Sequence, residues 1–149
     1  MRKNDMGQFV NDEAKNLFLG KFGENVAADF LKKEGYSIIE RNKRFGKHEL
    51  DIIVEDKNFL VFVEVKTRSC LYPESSSYGN PGRAVTYKKR TDTVRAAYDY
   101  LKANPTEKQP RMDVIEVFLH EARDSATPPQ ILNINHIRNA FDARGRKQH

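Results

Sequence analysis

A single cysteine, Cys70, is all the thiol this chain of 149 residues has, which excludes an intrachain disulfide and any cysteine-built zinc centre. The four histidines, His48, His120, His136 and His149, are scattered and show no metal-ligand spacing. A metal bound here must therefore be held by oxygen. No apolar run is long enough to span a bilayer, so a membrane is not an expected partner. The opening MRKNDMGQFVNDEAKN lacks the apolar core of a signal peptide, and the expected compartment is the cytoplasm. Internal repeats and a domain boundary are missing too. The chain reads as a flexible N-terminal segment over 1–16, one domain over 17–143 and a basic tail over 144–149.

What the chain has is positive charge, unevenly placed. Its net charge is +5, with clusters at Arg41 to Lys47, at Lys88-Lys89-Arg90 with Arg95, and from Arg138 to Lys147. Such clusters favour a polyanion, because neutralising phosphates releases counterions.

Apolar spacing predicts the elements. Phe18, Phe22, Val26 and Phe30 recur every four residues, with Ala27 and Leu31 beside them, and Gly35 reads as a left-handed stop to that helix. YSIIE (36–40) predicts a strand and 41–47 a basic turn. HELDIIV (48–54) and FLVFVEV (59–65) predict a hairpin through the four polar residues 55–58, and 67–85 a long loop. Helical period returns over 86–103, with Tyr87, Val94, Ala97, Tyr98 and Leu101 as the buried stripe. Strands over 111–119 and 130–134 and a last helical turn over 137–143 complete an αβββαββα order. The fold class is α/β, a mixed central sheet flanked by helices.

Acids inside apolar strands carry the chemistry. Alternation puts Glu49, Asp51 and Ile53 on one face of their strand, and Phe62, Glu64 and Lys66 on one face of the next. A four-residue turn sets Val54 opposite Phe59, Asp51 opposite Phe62 and Glu49 opposite Glu64. In that register the three acids and Lys66 share a face, with Asp51 and Glu64 as diagonal neighbours. Carboxylates converging on a half-buried sheet repel one another and lose hydration, and a divalent cation, magnesium or manganese, relieves both. An ammonium two residues away suits phosphodiester hydrolysis.

These residues also carry a resemblance. Asp51 followed a dozen residues later by Glu64-Val65-Lys66 on the next strand resembles the PD-(D/E)XK nuclease superfamily. GENVAADFLKKEGYSIIERN, HELDIIV, FVEVKTR, AVTYKKR, RMDVIEV and HIRNAF together resemble, more narrowly, the YraN-like family of small bacterial proteins, which is related to archaeal Holliday-junction resolvases. The resemblance implies a restriction-endonuclease-like core and a Mg2+- or Mn2+-dependent endonuclease on structured or branched DNA, in repair or recombination. It implies Asp51, Glu64 and the Val65 carbonyl as metal ligands, Lys66 as the group that positions the water, and Glu24 as a further acid acting through water. Leu50 stands where the superfamily usually has proline, and His48 where a small residue is expected.

Phosphate contacts are expected from Arg41, Lys43, Arg44, Lys47, Thr67, Arg68, Lys88, Lys89, Arg90 and Arg95. The paired sites of resolvases imply a homodimer. A nucleic-acid-binding protein with this fold and no catalysis is the alternative reading, and RNA stays open as a substrate, since a backbone-directed cleft needs no base-reading motif.

Overall fold

A computed structural model describes residues 3–70, 85–124 and 126–148, with the side chains of the first helix described from Glu13 onward. Its elements are α1 (Lys3–Lys33), β1 (Ser37–Phe45), β2 (His48–Glu55), β3 (Phe59–Cys70), α2 (Tyr87–Ala103), β4 (Gln109–His120) and β5 (Gln130–Ile137). The five strands form one sheet in sequence order. All neighbours are antiparallel except β3 and β4, which run parallel because α2 lies between them in the chain. This is a mixed α/β architecture.

Helices cover both faces. On one, Leu19, Ala27, Ala28 and Leu31 of α1 pack on Ile52, Val54, Val61, Val63, Ile115 and Val117. On the other, Ala96, Ala97 and Tyr100 of α2 pack on Ile53, Leu60, Phe62, Met112 and Val114. The small alanines bring each helix backbone close to the sheet and leave larger residues at the margins. Tyr87 and Tyr98, expected inside, are 61% and 60% exposed. Each instead lies against a cation, Arg90 or Lys102. Phe18 is likewise exposed.

The ends of the helices follow local chemistry. Gly35, at φ +97°, closes α1 with paired bonds, its own N–H to Lys32 O and the Tyr36 N–H to Leu31 O, as expected of a left-handed stop. Thr86 caps α2 by accepting the Lys89 N–H.

Several expectations are corrected. The segment 1–16 is helical from Lys3. The basic stretch 41–47 is strand as far as Phe45, and only Gly46 (φ +60°) and Lys47 turn. β1 is an edge strand, where charged side chains are at home. β3 continues to Cys70, and the remainder of the expected loop, 71–84, lies outside the described residues. No third helix is present among them. Asn139 takes a positive φ of 52° and gives its N–H to Asp113, while Ala140 N–H bonds Met112 O, so 137–143 is tied into a turn. The basic tail is built into the fold through a Phe141–Lys147 bridge and the Asp142–Arg146 bonds.

Gly23 sets how α1 meets β3. A Cβ there would stand 2.0 Å from Thr67 Oγ1 and 3.0 Å from its Cβ. Gly23→Ala is therefore expected to cost about 1–3 kcal/mol by overpacking, more than the roughly 1 kcal/mol that helix propensity returns. Thr67→Ala in the same chain should recover most of the loss. Denaturant midpoints of the three variants test this, and a Gly23→Ala protein as stable as the parent would refute it.

Candidate active site

The β2–β3 ladder places the acids. Its pairs run from Glu55↔Leu60 to Ile52↔Val63 and stop there. This register differs by two residues from the expected one. Asp56 closes a tight turn by accepting the N–H groups of Asn58 and Phe59, which leaves Glu55 inside the strand. A shift of two preserves side-chain parity, so Ile53 and Phe62 still share a face. One step beyond the last pair, Asp51 falls directly across from Glu64 rather than diagonally.

At that step the strands part. Asp51 Oδ2 takes the Val65 N–H at 2.9 Å, so a side chain replaces the backbone rung. Parted from β3 while still paired with β1, β2 loses its alternation. Leu50 packs in the same cluster as Ile53, while Glu49 and Asp51 line a cleft with Leu19, Gly20 and Glu24 of α1. The expectation of three acids and Lys66 on one sheet face is thus overturned. Asp51 reaches the site from the α1 side, whereas Glu64, 7% exposed, has its Oε1 3.6 Å from Lys89 Nζ of α2. They meet edge-on in the gap between strands. Because the N–H and C=O of a strand residue point to the same edge, the Val65 carbonyl faces this gap as well.

The electrostatics are those of a crowded, dry pair. Burial first, and then the charge of Asp51, push the Glu64 carboxyl from 4.5 up to about 8, against the pull of Lys89. Burial raises Asp51 too, although the Val65 N–H and Lys89 oppose it and Glu24 adds to it. Glu64 Oε2 is buried without a hydrogen-bond partner. Two carboxyls in contact with an unsatisfied oxygen fit a shared proton or a hard cation. Among the described residues no three His, Cys, Asp or Glu side chains gather into a ready-made cage, so a metal would rest on this pair and backbone oxygen.

Glu24 lines the same cleft, oriented by Arg41 Nη2 at 3.1 Å and Asn42 Nδ2 at 2.9 Å. Sequence reading passed over Asn42. It takes a positive φ of 53°, which asparagine tolerates, and its residue type beside a basic stretch was the one sign of that in the sequence. Lys66 lines this cleft and also a second cavity on the α2 side, and has no carboxylate partner among the described residues.

The expected phosphate contacts divide. Lys47, Lys88 and Arg95 are exposed, and Lys88 pairs with Asp92 at 3.0 Å. Lys43 lies over the Phe45 ring, Arg44 is 3.6 Å from Glu49, and Thr67 lines the cleft. Arg41 is engaged with Glu24 and Asn25, and Lys89 with Glu64. Two are committed to structure instead. Arg68 is buried against Glu116 at 3.0 Å, and Arg90 is spent on the carbonyls of Gly145 and Val85. His48 neither blocks the cleft nor touches the acids among the bonds described, and stands 3.7 Å from Asp92 of α2.

Among the described residues no helix is long and apolar enough to cross a membrane. Comparison with known proteins places these residues in a family. The model of the uncharacterised protein family UPF0102 matches residues 23–117, which contain Glu24, Asp51, Glu64 and Lys66. A UPF0102 protein of Chloroherpeton thalassium is 39% identical over 127 residues, covering 85% of this chain and 95% of its own. One from Clostridium botulinum (strain Loch Maree / Type A3) is 41% identical over 128 residues, with the same coverage. Another, from Chlorobium phaeobacteroides, is 42% identical over 124 residues, covering 83% of this chain and 93% of its own. With nearly the whole length of these relatives matched, this chain belongs to family UPF0102, in agreement with its resemblance to YraN-like proteins.

Proposed function

We propose that this protein is a divalent-metal-dependent endonuclease that hydrolyses DNA phosphodiester bonds, acting on structured or branched DNA. The observation that carries this reading is the pairing of half-buried Asp51 with buried Glu64 where β2 and β3 part, with Glu64 Oε2 lacking a donor and Lys66 alongside. A pair so placed is unfavourable by itself and favourable around a hard cation.

Asp51, Glu64 and the Val65 carbonyl would hold magnesium or manganese, which when bound lowers the pKa of a water and offsets phosphate charge. The remaining work falls to the chain. Asp51 Oδ2, by accepting the Val65 N–H, fixes one carboxylate against the strand that carries Glu64 and Lys66. Preorganisation of this kind avoids a reorganisation cost during reaction. The Lys66 ammonium, unpaired among the described residues, can hold the attacking water in line and stabilise charge growing on the phosphate. Glu24, clamped by Arg41 and Asn42, keeps the opposite wall negative and suited to an ordered water. Lys43, Lys47, Lys88 and Arg95 supply nonspecific phosphate attraction that falls as salt rises.

The test is cleavage of labelled single strand, duplex, flap, four-way junction and RNA by purified protein with magnesium or manganese, beside Asp51→Ala. Metal-dependent cutting of DNA, branched substrates foremost, and its loss in Asp51→Ala are expected. Binding without cutting would move the protein to a non-catalytic binding role. Preferential cutting of RNA would replace the substrate class, and cutting that survives Asp51→Ala would place the active site elsewhere.

A further inference from the structure

A cavity of about 290 Å³ opens beside Lys66 on the α2 side of the sheet, away from the Asp51 cleft. Its floor is apolar, made by Val85, Val114, Ile137, Ala140 and Phe141. Its rim is charged and divides into two kinds. Arg68 and Glu116 bond each other, Glu116 takes a further bond from Asn135, and Arg90 is held by two carbonyls, so these three are structural. Lys66 and Lys147 have no carboxylate partner among the described residues. Lys147 is set in place by its bridge to Phe141, and the loop that carries it is anchored through Arg90 and Gly145.

An apolar floor beneath two uncompensated ammonium groups suits a ligand with a flat apolar body and an anionic end. A nucleotide has both. The volume lies at the small end of ligand pockets, which suits one heterocycle and not a stacked pair. Position supplies the rest. Lys66 lines both this cavity and the cleft holding Asp51, so an occupant here would be next along the strand from a phosphate at the acids. A base can enter such a cavity only once unstacked, which costs least where it is already unpaired.

We propose that this cavity seats one unstacked nucleotide of the DNA, its base over Val114 and Ile137 and its phosphate between Lys66 and Lys147. The proposal rests on the nucleic-acid reading above and deepens it, since it names an unpaired nucleotide as the feature recognised. It assigns Lys147, which the sequence places only in a basic tail, to substrate binding.

The test uses the full chain, without added divalent metal so that nothing is cut, and two DNA probes. One is a duplex with a single bulged 2-aminopurine, and the other is the same duplex fully paired. The bulged probe is expected to bind about tenfold more tightly, within the range one buried base contributes, with a saturating change in its fluorescence. Ala140→Phe, which fills the cavity, should abolish that preference and the fluorescence change while duplex affinity stays the same. Lys147→Ala, at an exposed side chain with no effect expected on folding, should reduce the preference severalfold and serves if Ala140→Phe does not fold. Equal binding of the two probes by the parent protein would overturn the proposal, as would a preference that persists in the folded variants. Cleavage is not part of this readout, so the two readings fail separately. A preference in a protein that cuts nothing keeps the pocket and sinks the nuclease, cutting without preference does the reverse, and no binding to either probe sinks both.

Discussion

Replacing Asp113 with alanine is expected to lower stability by about 3–5 kcal/mol, the range for breaking a buried charged network by removing one partner. Asp113 has no exposed surface. Its Oδ1 accepts Arg111 Nε at 2.8 Å and the Asn139 N–H at 2.9 Å, and its Oδ2 lies 2.8 Å from Arg111 Nη2 and 2.7 Å from His136 Nε2. Arg111 goes on to Tyr36 Oη at 2.6 Å and lies over the Phe59 ring. One carboxylate therefore ties β4 to β5, to the turn after it and to the start of β1. Alanine would leave the Arg111 guanidinium with Tyr36 Oη alone, and would take from the His136 ring and the Asn139 N–H the acceptor they share. For a domain of this size the melting temperature should fall by on the order of 10 °C. Replacing Arg111 and Asp113 together by Met and Leu should cost less than Asp113→Ala alone, because no orphaned charge remains. Burial opposes ionisation of Asp113, yet His136, Arg111 and the Asn139 N–H outweigh it and hold its pKa below 3.8. A carboxylate of depressed pKa contributes stability above its unfolded value that is lost as pH falls through the folded one. The parent should lose stability more steeply than Asp113→Ala below about pH 4. Urea denaturation from pH 2.5 to 7 measures both effects, and a loss under about 1 kcal/mol would show the network to be dispensable.

This network was invisible in the sequence, and the reason is physical. Asp113 sits in RMDVIEV much as Asp51 sits in LDIIV, an acid among apolar neighbours. Local pattern cannot say that one meets Arg111, His136 and a turn while the other meets a second carboxylate. Only the order of strands and the turn at Asn139 decide that, and both are long-range facts. What lay in local pattern came through. The Gly35 stop, the hairpin, the helix starting after Thr86 and the five strands follow from spacing, turn residues and capping groups. The nearness of Asp51 to Glu64 was legible as well, because an error of two residues in register only moves Asp51 from diagonal to directly across. The edge-on meeting was not. It depends on the ladder ending at Ile52↔Val63, and a side chain taking over a backbone rung leaves no mark on hydrophobic alternation. The rotation of the buried stripe on α2 away from Tyr87 and Tyr98 was hidden for a similar reason. Residue size in Ala96 and Ala97, rather than apolar count, set which side lies against the sheet.

At the proposed active site the largest expected effects are on rate, and stability should move the opposite way. Lys66→Ala is expected to slow DNA cleavage by about a hundred- to a thousandfold, the usual result of removing one group aimed at transition-state charge. Its melting temperature should barely change, since Lys66 has no ion-pair partner among the described residues to leave behind. Glu64→Gln should abolish cutting and yet stabilise the protein at pH 8 in the absence of metal. The sign follows from linkage. Burial and Asp51 raise the Glu64 pKa from 4.5 to about 8, so within that window the folded protein holds a proton that the unfolded chain has released. Stability then falls as pH rises through the window, and a neutral glutamine removes the fall. Lys89, with 46% of its side chain exposed, is left to water at little cost. A cation that binds only the folded site adds stability in proportion to its occupancy, so magnesium or manganese should raise the melting temperature of the parent most at pH 8. In Glu64→Gln that rise should shrink or vanish. Melting curves at pH 5 and pH 8, with and without metal, test the argument independently of any nuclease assay. Should Glu64→Gln be less stable than the parent at pH 8 and keep its response to metal, the two acids are structural and the site must be sought elsewhere. Should it be more stable and unresponsive, then the buried repulsion between Asp51 and Glu64 is a cost retained for a bound cation, as expected where stability has been given up for function.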